Sequence, residues 1–363
     1  ATSLIGGILI KAAISLGLSY LASLLRPRPS VPNPGARIVN LRQPVSFMEF
    51  VYGPCRKGGP INFWQTKNQR RYYDVLLAAH EINGTRATYA DERELVLNGA
   101  GEAQGDKYIF NAESYLQIVN YKGEPAQGSP AILNTTFTEW TDEHDMEGLA
   151  HDVVVARNIH PEHFQKVFPT GREPVITELL EGYRVYDPRD PEQILGDPTT
   201  YVYSENAALI IAHWVTSPFG LNREVDWDKV EIEADEADVI VLDRDGNPIP
   251  KWRLGGSYSA SEDREFTRAQ MGVASDTFFY EDTEGKVGFY VGRYMEPTVS
   301  ISDLTDDINR IQYTEGQTGP ELVNAMSVQY TEPTQGWREA TSATYAVDAP
   351  DEPYEEDSLS VFW

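Results

Sequence analysis

Cysteine is almost missing from this 363-residue chain, with Cys55 its single representative. One thiol excludes an intramolecular disulfide and every CxxC metal or redox motif. Histidine is scarce too: six scattered residues leave little material for a metal centre. Basic charge is in short supply, with 30 Lys and Arg against 56 Asp and Glu and a net charge of −26. Ala1–Arg71 holds ten of the basic residues and one acid, Glu49, so the remainder carries 20 basic and 55 acidic residues, a balance of −35. A body that acidic repels a phosphate backbone, which argues against sequence-specific DNA binding and suits a wall along which DNA slides without being held. There is no P-loop, no GxSxG elbow and no HExxH pair.

What is present reads as ordered protein: 41% hydrophobic and 11% aromatic residues, and length for two or three domains. The chain opens on LIGGILIKAAISLGLSYLASLL, Leu4–Leu25, 22 residues with Lys11 as the sole charge. At about 1.5 Å per residue such a helix matches a hydrocarbon core. A signal peptide fits poorly, because the run is too long and its basic residues follow it. A membrane helix fits by length, with Arg26 and Arg28 at the lipid interface. A helix packed against copies of itself also fits: Ile14, Leu18, Leu21 and Leu25 keep a 4-3-4 spacing, and Ser15, Ser19 and Ser23 form a small-residue stripe. Pro27, Pro29, Pro32 and Pro34 then make a stiff linker.

Beyond the linker the pattern is short strands and turns. VSFMEFVYG reads as a strand, and NFWQTKNQRRYYDVLLAAHEI as paired strands. ERELVLNG, KYIFNA, YLQIVNYKG and VVVARNI follow, and ITELLEGYRVYDPRDP ends in a Pro/Asp turn. SENAALIIAHWVTS is the best helix, predicted to start at a Ser204 cap and close at Pro218, and a second covers Val225–Ala237. DVIVLDRDGNPIPKWRLGGSYS and FFYEDTEGKVGFYVGRY are predicted hairpins, with a helix from a Ser261 cap between them. AMSVQYTEP and ATYAV are later strands, and DEPYEED (Asp351–Asp357) reads as a solvated linker or loop. The fold class is α+β, mainly β. Both halves pair hairpins with a helix, which suggests two related modules.

Near-motifs resolve to structure rather than chemistry. Asp243-Arg-Asp245-Gly-Asn247 begins like a calcium loop, but Pro248 and Leu254 stand where Gly and a bidentate Glu are needed, so it reads as a hairpin turn. His144, His151, His160 and His163 are predicted as surface histidines, with Pro161 at a turn. GAGEAQG (Gly99–Gly105) is a loop, not a dinucleotide fingerprint. Cys55 lies beside Arg56 and Lys57, which would lower a thiol pKa, but without an identifiable catalytic partner, which favours a buried or incidental thiol. Carboxylates are too many for one pair to stand out, and no catalytic, metal or cofactor-binding residue is assigned. The chain reads as a non-enzyme without cofactors.

Several segments taken together are specific. VYGPCRKGG followed by YYDVLLAAHEI resembles the start of the tail-tip hubs of long-tailed bacteriophages, the lambda-type host-specificity protein J family. FTEWTDEHDMEGLAHDVVVAR, VFPTGREPVITELLEGYRVYDPR, YSENAALIIAHWVTSPFGL and RAQMGVASDTFFYEDTEGKVGFYVGRYMEPTVSISD are similar to its later segments in the same order, from about Val45 to about Val347. The resemblance implies β-rich baseplate-hub domains, two per chain, so that a homotrimer offers six-fold-like symmetry to the ring above it. It also implies a virion location at the distal tail tip, after assembly in the bacterial cytoplasm. The implied role is to close the tail tube, carry a central fibre and conduct DNA into the host.

The implied partners are further copies of the chain, the distal tail protein ring and other tail-tip proteins. DNA would pass without specific binding, and the host membrane would meet the N-terminal helix. On this reading residues 1–30 are the apolar helix and linker, 31–220 a first hub region with an inserted β subdomain at about 84–165, 221–350 a second hub region, and 351–363 an acidic linker or further segment. Ile14, Leu18, Leu21 and Leu25 would face either the trimer axis or a membrane. A membrane-anchored binding module held by Leu4–Leu25 is the alternative. In the family, further C-terminal segments usually build a central fibre; this sequence ends at SVFW, as a trimmed form or without the fibre portion, which leaves receptor binding unassigned.

Overall fold

Alternating apolar and polar residues from position 46 onward dictate strands, and the computed structural model describes residues 46–243, 246–296 and 325–346, with the backbone of 41–42 and 356–361. The first region contributes β1 (Leu41–Arg42), β2 (Glu49–Tyr52), β3 (Pro54–Lys57), β4 (Pro60–Lys67), β5 (Arg70–Ala78), β6 (Gly84–Ala90), β7 (Arg93–Leu97) and β8 (Ala103–Gln104). It continues with β9 (Ile109–Phe110), β10 (Glu113–Ser114), β11 (Leu116–Lys122), helix α1 (Ala131–Asn134), β12 (Ala150–Arg157), helix α2 (Pro161–Val167) and β13 (Ile176–Glu181). Two five-stranded sheets result, ordered β1-β4-β5-β12-β11 and β3-β13-β6-β7-β8.

Their facing sides share one core. Tyr73, Val75 and Leu77 of β5, Val154 and Ala156 of β12, and Ile176 and Leu180 of β13 all enter it, as the two-residue period requires. The other face of the first sheet is covered as well. Tyr72, Val153 and Val155 pack there against Leu133, Phe137 and Trp140. Strand β12 is therefore buried on both faces, which explains why AHDVVVAR shows a continuous apolar run instead of alternation.

The second region holds β14 (Arg184–Val185), β15 (Val202–Tyr203), α3 (Ala207–Thr216), α4 (Trp227–Ala237), β16 (Ile240–Leu242), β17 (Pro248–Pro250) and β18 (Gly256–Ser259). Then come α5 (Arg264–Ser275), β19 (Phe278–Glu281), β20 (Val287–Tyr290), β21 (Ala325–Glu332), β22 (Arg338–Thr341), β23 (Tyr345–Ala346) and β24 (Glu356–Val361). Helix α3 is apolar on nearly all sides and sits at the centre, as such a helix must. Val230 and Ala234 of α4, Met271 of α5 and Phe289 of β20 surround it. The described residues are mainly β with few helices, an α+β arrangement, as the sequence predicts.

Strand β2 joins the two regions. It pairs with β18, and its side chains alternate between two cores: Val51 enters the first, Phe50 and Tyr52 the second. The chain returns close to it at Gly182, where a Cβ would lie 2.2 Å from the Val51 carbonyl oxygen, so only glycine fits.

Several local expectations are corrected. Helix α3 is capped by Asn206, whose Oδ1 accepts the N–H groups of Ala208 and Leu209 at 3.0 and 3.2 Å. Ser204 instead accepts the N–H of Asn206. The asparagine also donates to the Ala234 carbonyl oxygen at 2.9 Å, a tie to α4 that a serine cap lacks. Helix α5 is capped by Asp263, not Ser261, whose hydroxyl pairs with that of Ser259. Pro161 is not at a turn but opens α2, where its fixed φ suits the first helical position and His160 is the cap.

Helix α4 starts at Trp227 behind an Asp226 cap. In DEPYEED, Glu356 and Asp357 are not linker: they pair in parallel with Ala325 and Met326 of β21. The hairpin turn before β17 stands, with Asp243 Oδ1 accepting the Asn247 N–H at 2.7 Å. Ile14, Leu18, Leu21 and Leu25 lie outside the described residues, as do Arg26, Arg28 and Arg37. Among the described residues no helix is long and apolar enough to cross a membrane.

Replacing Asn206 with alanine removes both the α3 cap and the α3–α4 tie. Urea denaturation of Asn206→Ala should show a loss of about 2 kcal/mol, and Asn206→Asp, which keeps the cap alone, a smaller one. Equal stability of all three proteins would contradict the assigned role.

Candidate functional site

Two groups of buried polar side chains stand out, one at the β2 joint and one inside the first core. At the joint, β18 occupies one edge of β2, and the other edge needs partners for its backbone. The Val51 carbonyl accepts the Tyr183 N–H at 2.9 Å, and the Glu49 carbonyl accepts the Ala79 N–H at 2.8 Å. The Val51 N–H has no strand opposite it and donates to His80 Nε2 at 2.9 Å. His80 Nδ1 lies 2.7 Å from the Glu81 carbonyl oxygen, which can only accept. These two bonds fix the tautomer: Nδ1 carries the proton, Nε2 is bare, and the ring is neutral. Burial lowers the His80 pKa to about 3, and Tyr183 stacks on the ring with centroids 3.6 Å apart. Nearby, the Tyr52 hydroxyl lies 2.7 Å from His213 Nδ1, and burial lowers His213 to about 4. Arg86 braces the same junction from outside, between Glu181 at 2.7 Å and Glu205 at 2.6 Å.

The second group is a polar layer across the first core. Asn120 of β11, itself exposed at the edge of the core, lies opposite Asp152 of β12, and Glu178 of β13 lies between Thr88 of β6 and Lys57 of β3. Asn120 Nδ2 donates to Asp152 Oδ1 at 2.7 Å, and Thr88 Oγ1 donates to Glu178 Oε2 at 2.7 Å. Asp152 and Glu178, both fully buried, come from different sheets and lie close enough for their carboxyl groups to interact directly. Burial raises Asp152 to about 6 and lifts Glu178 well above the carboxylate range, with the Asp152 charge adding to the latter. Lys57, fully buried as well, turns its ammonium to Glu49.

The histidine expectation holds only in part. His144 and His160 are exposed, and His163 is half-buried against Phe110. His151 is fully buried, because β12 is covered on both faces; its Nδ1 lies 2.5 Å from Asp74 Oδ1 and Tyr121 stacks on its ring. An Asp–His pair can orient a general base, but here the far nitrogen, Nε2, is sealed without a partner and meets no hydroxyl or thiol. Among the described residues no group of three His, Cys, Asp or Glu could hold a metal ion. Cys55 is buried in the first core, as expected. Its neighbour Arg56 points to the opposite face, bonding Thr177, Asp91 and Gly336 and lying 3.9 Å over the Tyr89 ring. The polar layer escapes sequence reasoning because Asp152 and Glu178 lie 26 positions apart among many acids; the one local signal is a carboxylate set at an inward strand position.

No protein-family model and no curated protein matches the chain. Among solved structures it is similar to a chain in the "Virion of native gene transfer agent (GTA) particle", with a TM-score of 0.52 and 14% identity, over 98% of this chain and 80% of that one. At that identity the likeness is one of fold.

The His80 geometry sets a pH dependence. The unfolded chain takes up a proton near the ordinary value of 6.5, while folded His80 resists until about pH 3, so its stabilising share is complete above 6.5 and falls as the pH drops through that window. His213 acts in the same sense down to about 4. In His80→Gln, whose amide oxygen can accept the Val51 N–H, the stability difference between pH 7 and pH 5 should shrink by roughly 2 kcal/mol, measured by urea denaturation. An unchanged difference would rule His80 out as its source.

Proposed function

We propose that this chain is a virion structural protein: a homotrimeric hub that closes the distal end of a phage tail tube, carries a central fibre and passes DNA into the host. The observation that carries the reading is fold likeness to a chain of a virion over 98% of this sequence. The ordered segments similar to the protein J family point the same way, including VYGPCRKGG around β2 and β3. Net charge of −26 suits a conduit that must not retain a polyanion. Large apolar side chains left in solvent, among them Phe47, Ile240, Leu242, Phe278 and Tyr294, are what an assembling protein offers its neighbours. The partners in this reading are two further copies, the distal tail ring and other tail-tip proteins, and the location is the tail tip.

The role needs no catalysis, and the sealed His151–Asp74 pair offers none. Ile14, Leu18, Leu21 and Leu25 would gather on the three-fold axis. One observation favours a second role for them: a 22-residue apolar run equals a bilayer's hydrocarbon thickness, so insertion into the host membrane at ejection, or plain membrane anchoring, also follows.

Light scattering on the purified full-length chain should give three chain masses at micromolar concentration, and images of assembled particles should place three copies on a tail axis. A stable monomer that binds no ring protein would sink the hub reading. In vesicle flotation the full chain should float, and a chain starting at Val31 should not, if the membrane role is real.

A further inference from the structure

We propose that Asp152 and Glu178 share a single proton, in a carboxyl–carboxylate hydrogen bond that ties the two sheets of the first region together through their common core. The accounting of donors leads there. Asp152 Oδ1 is satisfied by Asn120 and Glu178 Oε2 by Thr88, each at 2.7 Å. The remaining oxygens, Asp152 Oδ2 and Glu178 Oε1, are buried and unpartnered. Each belongs to a fully buried side chain, and the two side chains are in contact. Two bare acceptors in an apolar core are costly, and two adjacent negative charges there more so. One proton answers both, because one carboxyl donates it and the other accepts it.

Other charges nearby do not remove the need. Lys57 stands opposite Glu178 across β3 and β13, but its ammonium is engaged by Glu49. His151 neighbours Asp152 on β12 and points to the opposite face, where Asp74 of β5 holds it. Thr88 from β6 is a neutral donor already in use, and Asn120 from β11, which gives one N–H to Asp152, also faces Glu178 but carries no charge to offset a second carboxylate. The pair titrates as a unit. Burial holds both groups above the ordinary carboxylate range, so the pair keeps one proton between them after the first has left. Folded values above the unfolded ones make the stabilisation complete below the ordinary carboxylate range and lost as pH rises through the folded values. The device is thus an alkali-sensitive latch: with the proton present the sheets are drawn together, and without it two charges face each other across the core.

Infrared titration of the full-length protein tests this directly. Wild type should show a protonated-carboxyl stretch at pH 7 that fades at alkaline pH, together with a fall in melting temperature between pH 7 and pH 9.5. Glu178→Gln, whose amide can donate to Asp152 Oδ2, should lose both the band and the fall. Asp152→Asn makes the same comparison should the first variant fail to fold. No protonated-carboxyl band in wild type at pH 7 would overturn the proposal regardless of the variants. So would a band and an alkaline loss that persist in a folded variant.

Discussion

Four residues, EFVY of strand β2, carry the main constraint on this structure. Val51 completes the first core while Phe50 and Tyr52 complete the second, so neither core closes unless the strand is in register. A one-residue slip would exchange the two sets and leave Val51 where rings are needed. The register is held on one edge by β18. On the other edge backbone contacts serve Glu49 and Val51, and an imidazole serves the Val51 N–H. The chain crosses tightly around this strand. Gly182 lies against the Val51 carbonyl, and Gly53, at φ +51°, lies against Leu254; no side chain fits at either place. The joint is therefore a set of backbone contacts, and its specificity lies in small residues and one neutral histidine.

Burying a histidine and several carboxylates in such a place costs stability unless each finds a partner. The structure meets this requirement unevenly. His80 is fully satisfied on both nitrogens. Asp152 and Glu178 each have one satisfied oxygen and one bare one. His151 and Asp74 likewise meet through one atom each and leave Nε2 and Oδ2 bare. These groups flank the same strand from opposite faces, because successive residues of β12, His151 and Asp152, point in opposite directions. Polar groups in a core restrict the ways two sheets can pack, since a shifted arrangement would leave them unpaired. An apolar layer would tolerate more sliding.

The sequence was legible where local chemistry decides. The hairpin turning near Gly285 and the apolar helix of AALIIAHWVT follow from turn residues and composition alone. Caps were less legible, since Ser204 and Asn206, or Ser261 and Asp263, are comparable acceptors and only tertiary contacts separate them: Asn206 wins through Ala234. GTRATYA escaped because its small and polar residues carry little hydrophobic signal, yet it pairs along most of β13 as β6. The burial of His151 and Asp152 could not be read at all. Both depend on what covers each face of β12, and the covering residues come from segments remote in sequence.

The same non-local pairing alters how the charge should be understood. RK, at Arg56-Lys57, is a conspicuous basic pair in the basic first stretch of the chain, and neither residue reaches solvent: they are 5% and 1% exposed. Arg56 spends its guanidinium on backbone oxygens of Asp91 and Gly336 and on Thr177, which fastens the β21–β22 turn to the second sheet. Lys57 spends its ammonium on Glu49 at the start of the joint. Arg56 also lies 3.8 Å from Glu92, so both buried cations offset carboxylates that reach the surface. Those bonds use positive charge to hold the fold.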